Sequence, residues 1–457
     1  MDTITNIVDN HKVSYEVLGK IGEGSQGVTF LLKDKTHIAK LFKGEINATE
    51  LKSKINFLIT RDLDKRYYAV PLQEIVSPRC GYISEFASGM IPLTILKSPG
   101  KGEEFSEWYV KTGGLLKRYG VLIKLAMAIR TLHAKGLIYC DLSPNNVFIS
   151  DDERKHNVFL IDMDNLRYKT SIVHNIYTPF YGAPEVIKNF APNTPMSDCY
   201  SFAVIAYELL AMNHPLIGDM VTDGEPEMEE KAVRGELPWV EDSKDDSNQR
   251  STGFPSNFFI TSPIQKLFHR TFEEGLTDPM KRPSIGEWVD ALNDGLNELL
   301  FCKKCNTYYP YRNNLHCPFC KLSPEMPLSL KIMRWENVEC YDASTNQIYS
   351  HFELQPMIID DFFIDEKTTK IVKAFHLLSV YDDYDTEIAR IKITPVESAV
   401  RLTITPLEGI EFFFRFIDDN YEIKIDKERT IRFNPYSGKM LIIGVKPFNM
   451  SQRVLVI

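Results

Sequence analysis

One ordered set of short motifs constrains this chain more than any other feature. A glycine-rich loop, Gly22-Glu23-Gly24-Ser25-Gln26-Gly27, comes first, and Lys40 stands thirteen residues after its last glycine. Asp141-Leu142-Ser143-Pro144-Asn145-Asn146 comes next, then Asp162, Ala183-Pro184-Glu185 and Arg282. A glycine loop alone is weak evidence, because the same pattern opens a helix in dinucleotide-binding folds. Here the residues that follow it, Val28-Thr29-Phe30-Leu31-Leu32, are β-branched and apolar, and Asp34-Lys35 then supplies a turn. That continuation predicts a β-hairpin covering phosphates and argues against a dinucleotide-binding domain.

In this order and at these separations the motifs resemble the eukaryotic-like protein kinase fold, over about two-thirds of the chain. Phosphoryl transfer is mainly positioning and charge neutralisation, and the resemblance distributes those tasks. Gly22, Gly24 and Gly27 let backbone amides approach the phosphates of ATP without a Cβ in the way. Lys40, in His37-Ile38-Ala39-Lys40-Leu41, holds the α- and β-phosphates. Glu50 pairs with that lysine from the next helix, although it follows only ten residues later, with Glu45 as the fallback. Asp141 accepts the substrate hydroxyl proton, and Asn146 and Asp162 hold Mg²⁺. In the hinge strand Gly81-Tyr82-Ile83-Ser84-Glu85-Phe86-Ala87, Ser84 is a small gatekeeper, and Glu85 and Ala87 offer backbone groups to the adenine. Glu185 forms a buried ion pair with Arg282, and Asp198 braces the catalytic loop. These last three are structural.

The departures from the family pattern matter as much. Cys140 replaces the arginine that reads a phosphorylated activation loop, and Tyr139 replaces a histidine. Ser143 replaces the lysine that helps neutralise the γ-phosphate. Asp162-Met163-Asp164 stands where Asp-Phe-Gly is expected, 21 residues after Asp141. Met163 can fill the apolar slot, whereas Asp164 lacks glycine's conformational freedom and restricts an inactivating flip. Thr170, Ser171 and Thr178 are the candidate phosphorylation sites of the short activation segment.

The wider pattern predicts an α+β chain with a two-lobed kinase domain at residues 13–300, β-rich over 13–97 and helix-rich over 98–300. Val121, Leu122, Leu125, Ile129 and Leu132 fall at helical spacing, and Gly136 sits where a C-terminal cap belongs. Further helical patterns cover Tyr200–Met212, Pro263–Phe272 and Ile285–Leu300. From Asp219 to Ser247 eleven acidic residues face three basic ones, and Asp245-Asp246-Ser247-Asn248 reads as an exposed loop. That stretch is a solvated face or a docking surface for a basic partner.

Of eight cysteines, Cys80, Cys140, Cys199 and Cys340 are scattered, as reduced thiols of a cytosolic protein are. The other four form Cys302-Lys303-Lys304-Cys305, eleven residues, then Cys317-Pro318-Phe319-Cys320. Two such turns present four thiolates to one structural Zn²⁺ and leave no open position for catalysis, with His316 the only substitute ligand. A zinc ribbon is therefore expected at residues 301–325. Beyond it, residues 326–457 alternate short apolar runs such as Phe412-Phe413-Phe414-Arg415-Phe416 with turn signals, which predicts a small all-β, sandwich-like domain.

Net charge is −9, which argues against a nucleic-acid partner. Tyr200–Met212 is too short and, with Glu208, too charged to span a bilayer, and the first residues lack a signal-peptide pattern. A cytoplasmic protein without a membrane partner is expected. The ribbon directly behind the kinase lobe, with Pro238-Trp239-Val240-Glu241-Asp242, resembles bacterial kinases of tellurium-resistance-like loci. That resemblance implies a PP2C-type phosphatase and a von Willebrand A-type protein as partners. Two rivals stay open: a pseudokinase scaffold, favoured by Ser143 and Asp164, and a small-molecule kinase, disfavoured by the Ala-Pro-Glu segment with its later arginine.

Overall fold

The structure, a computed structural model, describes residues 4–24, 27–43, 48–168, 175–324, 328–356, 361–364, 369–378, 386–397, 399–407, 409–419 and 421–457, with the backbone alone at 48, 50, 51, 361 and 362. It divides into two compact units, Met1–Ser256 with Ser262–Leu292, and Asn257–Thr261 with Asn293–Ile457.

The first unit opens with β1 (Asn6–Asp9), β2 (Ser14–Glu23), β3 (Gly27–Leu32), β4 (His37–Phe42), helix α1 (Ala48–Ile59), β5 (Gln73–Ser77) and β6 (Gly81–Glu85). The strands form a closed antiparallel barrel in the order β1-β2-β3-β4-β6-β5, sealed by β1 against β5. Ile7, Leu32, Ala39, Leu41, Ile75 and Ile83 fill its interior. Strand β1 precedes residue 13, the expected start of this lobe; with Ile7 fully buried and β1 closing the barrel, the lobe begins earlier. The glycine loop joins two antiparallel strands, β2 and β3. Close strand approach requires glycine at two positions. A Cβ on Gly27 would lie 2.7 Å from the Leu41 carbonyl oxygen, and one on Gly81 would collide with that of Lys40.

Helices dominate the rest of this unit. In order come β7 (Met90–Pro92), α2 (Phe105–Lys111), α3 (Gly114–Ala134), β8 (Leu137–Ile138), β9 (Val147–Ser150), β10 (Val158–Leu160) and β11 (Arg167–Tyr168). Helices α4 (Pro184–Ile187), α5 (Pro195–Ala211), α6 (Asp219–Thr222), α7 (Pro226–Val233), α8 (Ser262–Phe272), α9 (Glu274–Thr277) and α10 (Ile285–Glu298) follow. Helix α5 is buried from Ser197 to Ala211, in keeping with a sequence whose polar residues are few and scattered. Its start is fixed by Pro195 in the first turn and a reciprocal cap between Thr194 and Ser197. Helix α3 ends before Gly136, whose φ of 72° gives the left-handed turn that glycine tolerates. The acidic stretch carries α6 and α7. Asp245, Asp246 and Ser247 are exposed, but Asn248 is fully buried, contrary to expectation. Its Nδ2 donates to the Leu216 and Pro238 carbonyls at 3.1 and 2.9 Å, so it ties the loop down.

The first strands of the second unit are the hairpin β12 (Leu299–Cys302) and β13 (Thr307–Pro310). Thus the helix expected to reach Leu300 stops at Glu298, where a strand takes over. Then come β14 (Leu328–Asp342), β15 (Gln347–Gln355), β16 (Asp361–Ile364), β17 (Thr369–Lys373), α11 (Ala374–Leu377), β18 (Glu387–Val396), β19 (Ala399–Pro406), β20 (Phe412–Phe416), β21 (Ile423–Ile425), β22 (Arg429–Phe433), β23 (Leu441–Gly444) and β24 (Gln452–Val456). One sheet runs β15-β14-β24-β23-β20-β21 with β16 also on β14; the other runs β17-β18-β19-β22. Alternating residues of both, including Leu330, Ile391, Leu402, Phe414 and Ile443, share one apolar core. The helical turn α11 is the departure from an all-β reading.

Candidate active site

Strand β4 carries Lys40 opposite Thr29 of β3 and Tyr82 of β6. Its Nζ donates to Asp162 Oδ1 and to Asp164 Oδ1, both at 2.9 Å. The Tyr82 hydroxyl donates to the same Asp164 oxygen at 3.1 Å. Burial alone would push the Lys40 ammonium down, but the two carboxylates hold it above its ordinary value. Burial pushes the Asp162 carboxyl up, against the pull of Lys40, and the charges of Asp164 and Asp141 add to the rise. The left-handed backbone of this turn falls on Asp162, with φ of 53°, a conformation that aspartate tolerates. The sequence read Asp164 as a lost glycine; the structure needs no positive φ there and buries its side chain instead. Glu50 lies on α1, and its side chain falls outside the described atoms. Glu45, Thr170 and Ser171, like the loop residues Ser25 and Gln26, lie outside the described residues.

The segment after β8 is held from below by Asp198. Its carboxylate accepts the Tyr139 and Cys140 amides at 2.8 and 3.0 Å and lies 3.0 Å from His133 Nε2. Cys140 sits at φ 71°, a strained value for a non-glycine residue that these bonds stabilise. Burial pushes its thiol up, so it is an inert packing group. The kink turns Asp141 toward Asn146, on the turn Pro144–Asn146. Asn146 Nδ2 donates to the Asp141 carbonyl at 2.8 Å and to Oδ2 at 3.1 Å. Asn165, on the turn that carries Asp164, reaches the same Oδ2 at 3.4 Å.

The other Asp141 oxygen accepts the Thr178 hydroxyl at 2.7 Å. Sequence reading placed Thr178 among the phosphorylation sites; the structure engages its hydroxyl with Asp141. A signal was present, since Thr178 is the only serine or threonine between Asn175 and Pro184. Ser143 is fully buried, its Oγ without a hydrogen-bond partner among the described residues, and brings no charge to the cleft.

Asp141 is thus bonded to Asn146 and Lys40 to Asp162, and the Ile161 amide, next to Asp162, donates to the Asn146 carbonyl at 3.0 Å. The side-chain oxygen of Asn146, Oδ1, and Asp162 Oδ2 make no hydrogen bond among the described residues. A carboxylate and an amide oxygen are the hard donors that Mg²⁺ prefers, so the residues present fit that ion. Among the described residues, and chain neighbours apart, Gly22 and Gly24 have no atom closer than 3.9 Å to the position of an added Cβ. At the end of β6, Ser84 is buried, and the Ala87 amide makes no backbone hydrogen bond among the described residues. Away from the cleft, Arg282 forms a two-pronged pair with Glu185, each bond 2.8 Å, with the guanidinium fully buried.

In the second unit the four sulfurs of Cys302, Cys305, Cys317 and Cys320 all lie within 4.8 Å of one another. Cys302 and Cys320 are 3.6 Å apart, and Cys305 and Cys317 are 3.9 Å apart. A tetrahedral ZnS₄ centre with bonds of about 2.3 Å needs sulfurs roughly 3.8 Å apart, so the set fits zinc. Each pair is followed by a left-handed residue, Asn306 at φ 53° and Lys321 at φ 61°, so the two turns are built alike. His316 faces Ser323 at 2.9 Å and is not part of the set.

Residues 93–292 match the protein kinase domain. That match and the similar proteins support a eukaryotic-like Ser/Thr protein kinase domain, with its two-lobed fold of mixed helices and strands. The chain is 28% identical over 292 residues to a probable serine/threonine-protein kinase nek3 of Dictyostelium discoideum, covering 60% of this chain and 23% of that protein. It is 24% identical over 280 residues to calcium-dependent protein kinase 25 of Arabidopsis thaliana, covering 58% and 50%. A probable cAMP-dependent protein kinase catalytic subunit of Encephalitozoon cuniculi is 27% identical over 214 residues, covering 44% and 61%. The chain thus spans between 23% and 61% of these relatives' own lengths. Among the described residues no helix is long and apolar enough to cross a membrane.

Proposed function

We propose that the protein is an ATP-dependent Ser/Thr protein kinase that transfers the γ-phosphoryl group to hydroxyls of a protein substrate, itself included. The observation that carries this reading is the Thr178 hydroxyl donating to Asp141 Oδ1 at 2.7 Å, which supports this carboxylate as the acceptor for a substrate hydroxyl. In the transfer, the substrate hydroxyl gives its proton to Asp141 as its oxygen bonds to the γ-phosphorus. The bond from that phosphorus to the bridging oxygen breaks, and ADP leaves. Lys40 binds the α- and β-phosphates, the amides of Gly22, Gly24 and Gly27 cover them, and Glu85 and Ala87 meet the adenine. Glu50 is proposed to face the same cleft from α1. Asn146 and Asp162 would hold Mg²⁺, which neutralises charge on the phosphates.

The kinase domain spans residues 13–300, extended at its start by β1. Residues 301–325 are proposed as a zinc ribbon on Cys302, Cys305, Cys317 and Cys320, and residues 326–457 as a sandwich-like domain that recruits partner or substrate. The motif set supports a bacterial kinase of the tellurium-resistance-associated type, in the cytoplasm, working with a PP2C-type phosphatase and a von Willebrand A-type protein.

The test is incubation of the full chain with Mg²⁺ and γ-labelled ATP beside Asp141→Ala, followed by phosphosite mapping. Loss of a general base costs about 10²- to 10⁴-fold, so label should nearly vanish in the variant. Nucleotide binding without label on any protein favours the second reading, a pseudokinase scaffold. Its supporting observation is Ser143, buried and uncharged where the family places a lysine.

A further inference from the structure

We infer that Asp164 is the positioning residue that holds Lys40 in place for the nucleotide, a task the kinase pattern gives to a glutamate on α1. The inference rests on reading the cleft as a nucleotide site. Lys40 and Tyr82 are direct cross-strand partners on β4 and β6, so their side chains leave the same face of the barrel. Both end on one oxygen, Asp164 Oδ1, at 2.9 and 3.1 Å. The Asp164 side chain is 3% exposed, against 36% for Asp162.

Lys40 is therefore held between an outer carboxylate at the cleft and an inner one walled off from water. The two carboxylates differ in what else can reach them. Asp162 is open to a cation, and once it turns to one it no longer anchors the lysine. Asp164 is closed in by β4, β6 and its own turn, so it holds Lys40 whether or not the outer carboxylate is engaged. Phe42, two residues along β4, packs with Tyr82 and with Ile55 of α1, which keeps that wall apolar. Aspartate at 164 is then an adaptation that accompanies the short run from Lys40 to α1, and it no longer counts against activity.

The experiment measures affinity of the full chain for a non-hydrolysable ATP analogue with Mg²⁺, by calorimetry, with apo melting temperature as a folding control. Variants are Asp164→Asn, Tyr82→Phe, Lys40→Ala, Glu50→Gln and the doubles with Lys40→Ala. Asp164→Asn keeps the shape and an acceptor for Tyr82 and removes only the charge. It should weaken the analogue about tenfold, more than Glu50→Gln does, and add little once Lys40 is gone, as coupled residues behave. Tyr82→Phe should weaken it in the same direction and equally lose its effect in Lys40→Ala. If Asp164→Asn fails to fold, the Tyr82 and Lys40 cycle decides. A loss in Glu50→Gln equal to or larger than in Asp164→Asn overturns the inference, as does full additivity with Lys40→Ala. Wild type that does not bind nucleotide overturns the reading of the site itself. Coupled losses in a chain that transfers no phosphate overturn only the kinase reading and uphold Asp164 as the anchor.

Discussion

Thr178 and Asp141, 37 residues apart in the chain, meet through a hydrogen bond of 2.7 Å. The turn that delivers Thr178 is unusual. Tyr181 N donates to the Thr178 carbonyl at 3.1 Å, and Phe180 takes the left-handed position with φ of 71°, where glycine is normal. His214 holds that turn, its Nε2 3.1 Å from the Phe180 carbonyl and its ring edge-on to the Phe180 ring. Ser201 Oγ donates to the next carbonyl, that of Tyr181, at 2.7 Å.

Thr178→Val removes the hydroxyl and keeps the volume. Phosphoryl transfer should fall about tenfold, the equivalent of roughly 1.4 kcal/mol, whereas Thr178→Ser should keep most of it. Steady-state rates on a common peptide substrate check this. Phosphosite mapping should not find Thr178 modified in the resting chain.

The imidazole of His214 makes this turn sensitive to acid. Burial pushes it down to about 4, with Lys97 adding to the effect; an unfolded histidine titrates at about 6.5. The proton therefore binds the unfolded chain first. The contribution is complete above about pH 6.5 and is lost as pH falls through 4. Urea midpoints measured from pH 7 to pH 4 should drop, and His214→Gln should flatten part of that slope.

Arg282 and Glu185 form a pair in which the arginine is fully buried and also donates to the Gly275 carbonyl at 2.8 Å. Arg282→Met leaves Glu185 uncompensated. Breaking a buried pair from one side costs about 3–5 kcal/mol, a loss that chemical denaturation would read directly. A change under about 1 kcal/mol would mean that the pair does not carry this weight.

Zinc should bind the four-cysteine set with a stoichiometry of one. Structural zinc can supply on the order of 10 kcal/mol of folding energy to so small a unit. Chelation, or Cys302→Ser, should therefore release the metal and open the core of Leu300 and Tyr309 that surrounds Cys302 and Cys317. Metal analysis with hydrogen exchange over β12 and β13 tests it. Exchange that stays slow after metal removal would count against a structural ion.

The features legible in the chain alone are local. The β-branched and apolar residues after Gly27 make a hairpin, the largely apolar run from Tyr200 becomes a buried helix, and paired CxxC spacings bring four sulfurs together. Each follows from a period, a turn residue or a short ligand spacing, which a single chain displays. Even there, Asn248 misled, because an acidic, polar run looks exposed whichever of its members turns inward to cap a carbonyl.

Tertiary structure alone decided the relations across long separations. Lys40 meets Asp164 across 124 residues, and Tyr82 meets it across 82. The closure of the barrel by β1 and the seat of Thr178 on Asp141 are of the same kind. No periodicity encodes such contacts. They depend on strand register, which set Lys40 beside Tyr82, and on where the turn after β10 places its second carboxylate once the lobes are packed.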